Sequence, residues 1–139
     1  MTKYALDTNI ISYYLKGNTK LIDRINDAVK NGDIIIPPIV YFEIKKWLLK
    51  NQSKVKLAAF EVLLAKYGVD EISKKTLDIS LSIYLDLQSR RITVDDADIF
   101  IAGYCIENDY ILITNNTKHF ENIKDLRIEN WVNPGKNLG

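Results

Sequence analysis

The feature that most limits what this chain can fold into is a repeated handover, in which a short, unbroken apolar run leads at once into a segment with helical periodicity. "KYALDTNIISYYLKG", residues 3–17, is the first case. Tyr4-Ala5-Leu6 ends in Asp7, and Ile10, Ile11, Tyr14 and Leu15 then recur at helical spacing. Asp33-Ile34-Ile35-Ile36 repeats the pattern and is stopped by Pro37-Pro38, a pair that can open a helix. Strands that are continuously apolar, not alternating, belong to parallel sheets covered on both faces.

Along the chain, strands are expected at 3–7, 33–36, 69–72, 110–114 and 127–131, and helices from 8 to about 16 and at 19–31, 39–50, 53–66, 74–90 and 95–108. The result is an α/β domain. It reads as one unit over 1–133, with 134–139, containing Pro134, Gly135 and Gly139, as a loose tail. In such sheets ligands sit at the carboxyl ends of the strands, near a topological switch point. Asp7 lies at one such end and Thr114-Asn115-Asn116 at another.

Composition narrows the class without choosing a partner. The chain has 139 residues, 47% apolar and 27% charged, and 19 basic against 18 acidic side chains. That suits a globular core, and a net charge of +1 argues neither for nor against a polyanion. One cysteine, Cys105, permits no intramolecular disulfide or zinc ribbon, and on an apolar helix it reads as packing. With no secretory pattern and no apolar run near the ~20 residues of a span, a soluble cytoplasmic protein with no membrane association is expected.

Three acids resist a bland explanation. Asp7 ends an apolar strand, where it either caps the next helix or has a job. Glu43 shares a helical face with Ile39 and Trp47; otherwise it lies at the stripe's edge or pairs with Lys46 or Lys50. In "TVDDADIFIAGYCI", residues 93–106, Asp95, Asp96 and Asp98 sit at a helix start, where the dipole favours negative charge. Asp95 serves as the N-cap, but capping does not explain Asp98, which shares a face with Ala102 and Cys105. If these acids converge, their repulsion raises their pKa values unless a cation neutralises them. A hard divalent ion suits carboxylate oxygens. Gly103 in the same helix makes sense if another backbone packs close to it.

At this point the residues resemble a known family. "LDTNIISYYLKG" at 6–17, "PPIVYFEIKKW" at 37–47, "DIFIAGYCIENDYILITNNTKHF" at 98–120 and "LRIENW" at 126–131 resemble the PIN-domain ribonucleases, and more narrowly the VapC-type toxins of type II toxin–antitoxin modules. The resemblance implies a three-layer α/β/α PIN-like fold with a short, mostly parallel central sheet. It implies that Asp7, Glu43 and Asp98 are catalytic, hold Mg²⁺ or Mn²⁺ and hydrolyse RNA to 3′-hydroxyl and 5′-phosphate ends. The family's fourth acid matches Asn116, an amide without charge, which leaves one metal or two open. Asn9 and Thr114 look like groups that orient the acids or the phosphate, with capping as the alternative, and Asp95 or Asp96 could assist Asp98. The resemblance further implies a VapB-type antitoxin covering the acidic site, a homodimer packed through helices, and a transfer or ribosomal RNA loop as substrate.

The remaining candidates weigh less. His119, the sole histidine, precedes a core Phe120 and is not expected to act as a base. Lys45, Lys46, Lys50, Lys54, Lys56, Arg90, Arg91 and Lys118 could follow RNA phosphate or could be a solvated face. A haloacid-dehalogenase-type phosphatase needs a second Asp where Asn9 stands, and "VDEI" at 69–72 is a poor phosphoacceptor strand for a receiver domain. The remaining rival is a nuclease-fold protein that binds RNA or a partner without cutting, and three retained acids beside an apolar core argue against it.

Overall fold

The computed structural model describes residues 1–133; the expected loose tail at 134–139 lies outside the described residues. Among the described residues the elements are β1 (Thr2–Leu6), α1 (Thr8–Leu15), α2 (Thr19–Ala28), β2 (Gly32–Ile35), α3 (Pro38–Lys50), α4 (Lys54–Tyr67), α5 (Lys74–Ser89), α6 (Asp96–Asn108), β3 (Ile111–Ile113), α7 (Thr117–Phe120) and β4 (Ile128–Glu129). The four strands form one sheet in the order β2-β1-β3-β4, parallel throughout. Tyr4 stands opposite Ile34 on one side and Ile111 on the other. Helices flank the sheet, as the unbroken apolar strands demand: Ala5, Leu6, Leu112 and Ile113 are fully buried.

This strand order puts the switch point between β1 and β3, because the chain leaves β1 toward β2 and later returns on β1's other side. The ladder continues past the strand ends there. Asp7 N donates to Ile113 O at 2.9 Å, and Thr114 N to Glu129 O at 3.0 Å. Both side chains are therefore fixed at the carboxyl edge of the sheet.

One expectation is corrected, and two placements in the helices bear on the site. Residues 69–72 form no strand: Val69 and Ile72 are both 39% exposed, and no neighbouring edge pairs with them. Of the readings open for Glu43, the stripe's edge is the one found: helix α3 buries Val40, Ile44 and Leu48, and Trp47 is 48% exposed. In α5 the apolar side chains Leu77, Leu81, Tyr84 and Leu85 face outward, while the buried positions are Thr76, Ser80 and Leu87.

Small residues face α6 from α5 because the two helices meet at Gly103. A Cβ built there lies 2.2 Å from Ser80 Oγ and 3.0 Å from Thr76 O. Ser80 is itself buried and donates to Thr76 O at 2.7 Å, so it cannot turn away without losing that bond. Gly103→Ala gains up to ~1 kcal/mol of helix propensity but forces this contact apart, at about 1–3 kcal/mol. Net destabilisation of about 1–2 kcal/mol is expected in urea unfolding. An unchanged or raised midpoint would show that the helices part freely.

Candidate active site

Asp7 closes β1 and occupies the N-cap position of α1. It is 4% exposed, and three donors hold its carboxylate. Thr8 N donates to Oδ1 at 2.7 Å, while Asn9 Nδ2 at 2.8 Å and Thr114 Oγ1 at 2.7 Å donate to Oδ2. These bonds favour the ion, but burial outweighs them, and the charge of Asp98 adds to the penalty. The carboxyl is pushed up to about 6.

Asp98 projects from the first turn of α6, with its side chain 19% exposed. Burial raises it first, the contact with His119 lowers it, and Glu43 and Asp95 raise it again. Glu43, from α3, accepts a hydrogen bond from Thr8 Oγ1 at 2.8 Å. Among the described residues it makes no ion pair with Lys46 or Lys50. Asp95 stands at the N-cap position of α6 but its side chain makes no capping bond. Asp7, Glu43, Asp95, Asp98, Asn116 and His119 line one open groove of about 450 Å³. Asp96 is exposed and does not line it.

The turn after β3 supports the acids from below. Thr114, fully buried, donates to Asp7 and accepts from Asn116 N at 3.0 Å and Asn9 Nδ2 at 3.3 Å. Asn9 Oδ1 in turn accepts from Asn115 N at 2.8 Å. Asn115 Oδ1 accepts from Asn130 Nδ2 at 3.0 Å, tying the turn to the segment after β4. Asn9 and Thr114 thus both hydrogen-bond the Asp7 carboxylate.

His119 makes a contact with Asp98 that the local sequence pattern does not encode. Its Nδ1 lies 3.1 Å from Asp98 Oδ2, with the ring 54% exposed at the groove. Adjacent residues of a helical turn face different ways, so buried Phe120 turns His119 outward. Thr8 and Lys16 were not singled out by the sequence. Asn115 and Asn116 following a strand end were the available signal for the first turn of α7.

The donor set suits a hard divalent ion that keeps most of its water. Among the described residues no three His, Cys, Asp or Glu side chains are gathered closely enough to hold an ion unaided. Mg²⁺ needs only one or two direct carboxylates. Among the described residues Asp7 Oδ1 accepts only from Thr8 N, and Asp98 is the neighbouring acid whose charge Asp7 feels.

The chain is similar to known proteins along nearly its whole length. The chain is 28% identical over 130 residues to "Ribonuclease VapC2" of Rickettsia felis, covering 92% of this chain and 97% of that protein. It is 28% identical over 133 residues to the "tRNA(fMet)-specific endonuclease VapC" of Shigella flexneri, covering 94% and 99%. Its fold superposes with a TM-score of 0.88 at 25% identity on VapBC2 from Rickettsia felis bound to a promoter DNA fragment, covering 94% and 99%. The corresponding figures for VapBC-1 from nontypeable Haemophilus influenzae are 0.83, 26%, 94% and 98%. The PIN domain pattern matches residues 4–126, which takes in the end of β1, the three acids and the turn after β3, and the chain belongs to the PIN-domain family.

Proposed function

We propose that this chain is a metal-dependent endoribonuclease of the VapC toxin type, hydrolysing RNA phosphodiester bonds and neutralised by a VapB-type antitoxin. The observation that carries the reading is one open groove at the sheet's switch point that brings Asp7, Glu43 and Asp98 together from three elements. Similarity to VapC ribonucleases along nearly the whole chain, and to VapBC complexes, supports it.

In this reading Asp7 and Asp98 hold Mg²⁺ or Mn²⁺, with Glu43 holding it directly or through water. A bound ion supplies positive charge to the scissile phosphate and lowers the pKa of water. The chain's own work is orientation. Asn9 and Thr114 fix Oδ2 of Asp7, Thr8 fixes Oδ1 and also anchors Glu43, and His119 steadies Asp98. Asn116, with its backbone bonded to Thr114, leaves an uncharged amide at the groove for substrate or water.

The antitoxin covers this groove with a segment whose basic side chain competes with the metal. Single-stranded or loop RNA, as in transfer or ribosomal RNA, is the easiest substrate to present to an open groove. The working unit is the single domain 1–133, acting in the cytoplasm. The exposed row Leu77, Leu81 and Leu85 on α5 supports a homodimer. No helix among the described residues is long and apolar enough to cross a membrane.

The test is cleavage of total cellular RNA by the purified, antitoxin-free protein. Discrete cleavage in Mg²⁺ or Mn²⁺ that stops with EDTA is expected, and fragment sequencing then gives the target. Cleavage that survives EDTA would point to a contaminant or a metal-independent mechanism, and none from folded protein in any metal would favour the RNA- or partner-binding reading.

A further inference from the structure

We propose that a single strand of RNA crosses the carboxylates along one continuous path, held on one side by Lys16 and on the other by Lys118 and Arg91, with His119 between. The proposal rests on the ribonuclease reading above and assigns the substrate's course.

Three hollows join end to end. The groove of the acids, which Lys16 also lines, shares Asp95, Asp98 and His119 with a second hollow of about 320 Å³ that adds Lys118 and Asn122. That hollow shares Ile92, Thr93 and Val94 with a third of about 390 Å³, which reaches Gln88 and Arg91. The path thus leaves the acids and follows the α5–α6 connection. Half-buried Ile92 and Val94 give its floor apolar surface for base faces.

The cations on this path are uncommitted. Among the described residues Lys16, Lys118 and Arg91 make no ion pair or side-chain hydrogen bond. Their neighbours are engaged: Arg90 with Asp86 and Asn122 O, Lys124 with Asp86, and Arg127 with Asp109. The basic row of α3 and α4 is partly engaged too. Lys45 pairs with Glu61, Lys46 lies over the Phe42 ring, and Lys56 over the Trp47 ring. A phosphate chain on either side of the acids therefore meets free positive charge, while the acids occupy the scission point. His119, held by Asp98 through Nδ1, keeps its other ring nitrogen and its ring face for the strand.

Binding of a labelled, unstructured 12-nucleotide RNA to the full chain in EDTA tests this by fluorescence anisotropy without any cleavage. Two double variants of equal charge are compared, Arg91→Ala with Lys118→Ala and Lys50→Ala with Lys54→Ala. The first pair is expected to weaken binding about tenfold or more at 0.1 M salt. It should also flatten the plot of log K against log salt by about 1.4, two contacts at about 0.7 each for a single strand. The second pair stays within about twofold, and the same sequence as a duplex competes poorly. Equal losses from both pairs, no loss from the first, or equal binding of the duplex overturns the path. A first pair that changes the oligomeric state but not RNA affinity overturns it in favour of a second copy of the chain. In Mg²⁺ the first pair should raise KM with kcat nearly unchanged. Wild-type protein that cuts no RNA defeats the ribonuclease reading itself, whereas wild-type cleavage with an unaltered KM in the first pair defeats only the path.

Discussion

Replacing Asp7 with asparagine will leave a metal-free protein that is harder to unfold at pH 8 and no longer cuts RNA. Burial raises this carboxyl from 3.8 to about 6 in the native state, so the folded protein binds the proton more tightly than the unfolded chain. The group then weakens the fold as pH rises. The penalty is absent well below pH 4, grows between about pH 4 and 6, and is complete above about 6. At 1.36 kcal/mol per unit, the difference between 3.8 and about 6 is on the order of 3 kcal/mol. Asparagine has the shape of the protonated acid and avoids this cost, although its second N–H meets the Asn9 donor and returns part of the gain. A net stabilisation of about 1–2 kcal/mol in EDTA at pH 8, vanishing near pH 4, is expected from urea unfolding. Mg²⁺ should then stabilise the wild type and not the variant. Cleavage should fall about 10²-fold or more, as for other charged groups at a reacting centre. A variant less stable than wild type at pH 8 would show that the three donors to Asp7 outweigh its burial.

That an acid can weaken the fold it belongs to also explains how much of the site was legible. Asp7 was conspicuous because nothing in strand or helix chemistry asks for a carboxylate at the end of Tyr4-Ala5-Leu6. Asp98 was conspicuous for the same reason, being one acid more than the start of α6 needs. The α/β alternation was legible because Ile34-Ile35-Ile36 and Ile111-Leu112-Ile113 are apolar without interruption, as doubly covered strands must be. The failures have a common source. Val69 and Ile72 carry the composition of a strand, but a strand exists only where another edge accepts its hydrogen bonds. Leu77, Leu81, Tyr84 and Leu85 have core periodicity, yet α5 docks by its small face because Gly103 invites close approach. The contact of His119 was not legible because it depends on Asp98, 21 residues earlier in the chain. Such a contact is set by where α7 lands against α6, and local pattern does not encode it.

Thr114→Val should separate orientation of the acid from its mere presence. Valine fills the same space, so the buried position keeps its packing. It removes the hydroxyl that donates to Asp7 Oδ2 and accepts from Asn116 N and Asn9 Nδ2. The bond from Thr114 is the strongest influence holding Asp7 down against burial. Without it the native carboxyl rises further, and at pH 7 a smaller fraction is ionised to meet a cation. Cleavage at pH 7 and the Mg²⁺ concentration for half activity should worsen about 10- to 100-fold, the usual cost of losing a partner that orients a metal-binding group. The deficit should shrink at pH 8.5, as the raised carboxyl ionises, and also at high Mg²⁺. Thr114→Ser, which keeps the hydroxyl, should recover most of the activity. An effect on folding alone would give a deficit independent of pH and metal. That pattern, or a serine variant as impaired as the valine, would mean that Thr114 serves the turn after β3 and not the carboxylate.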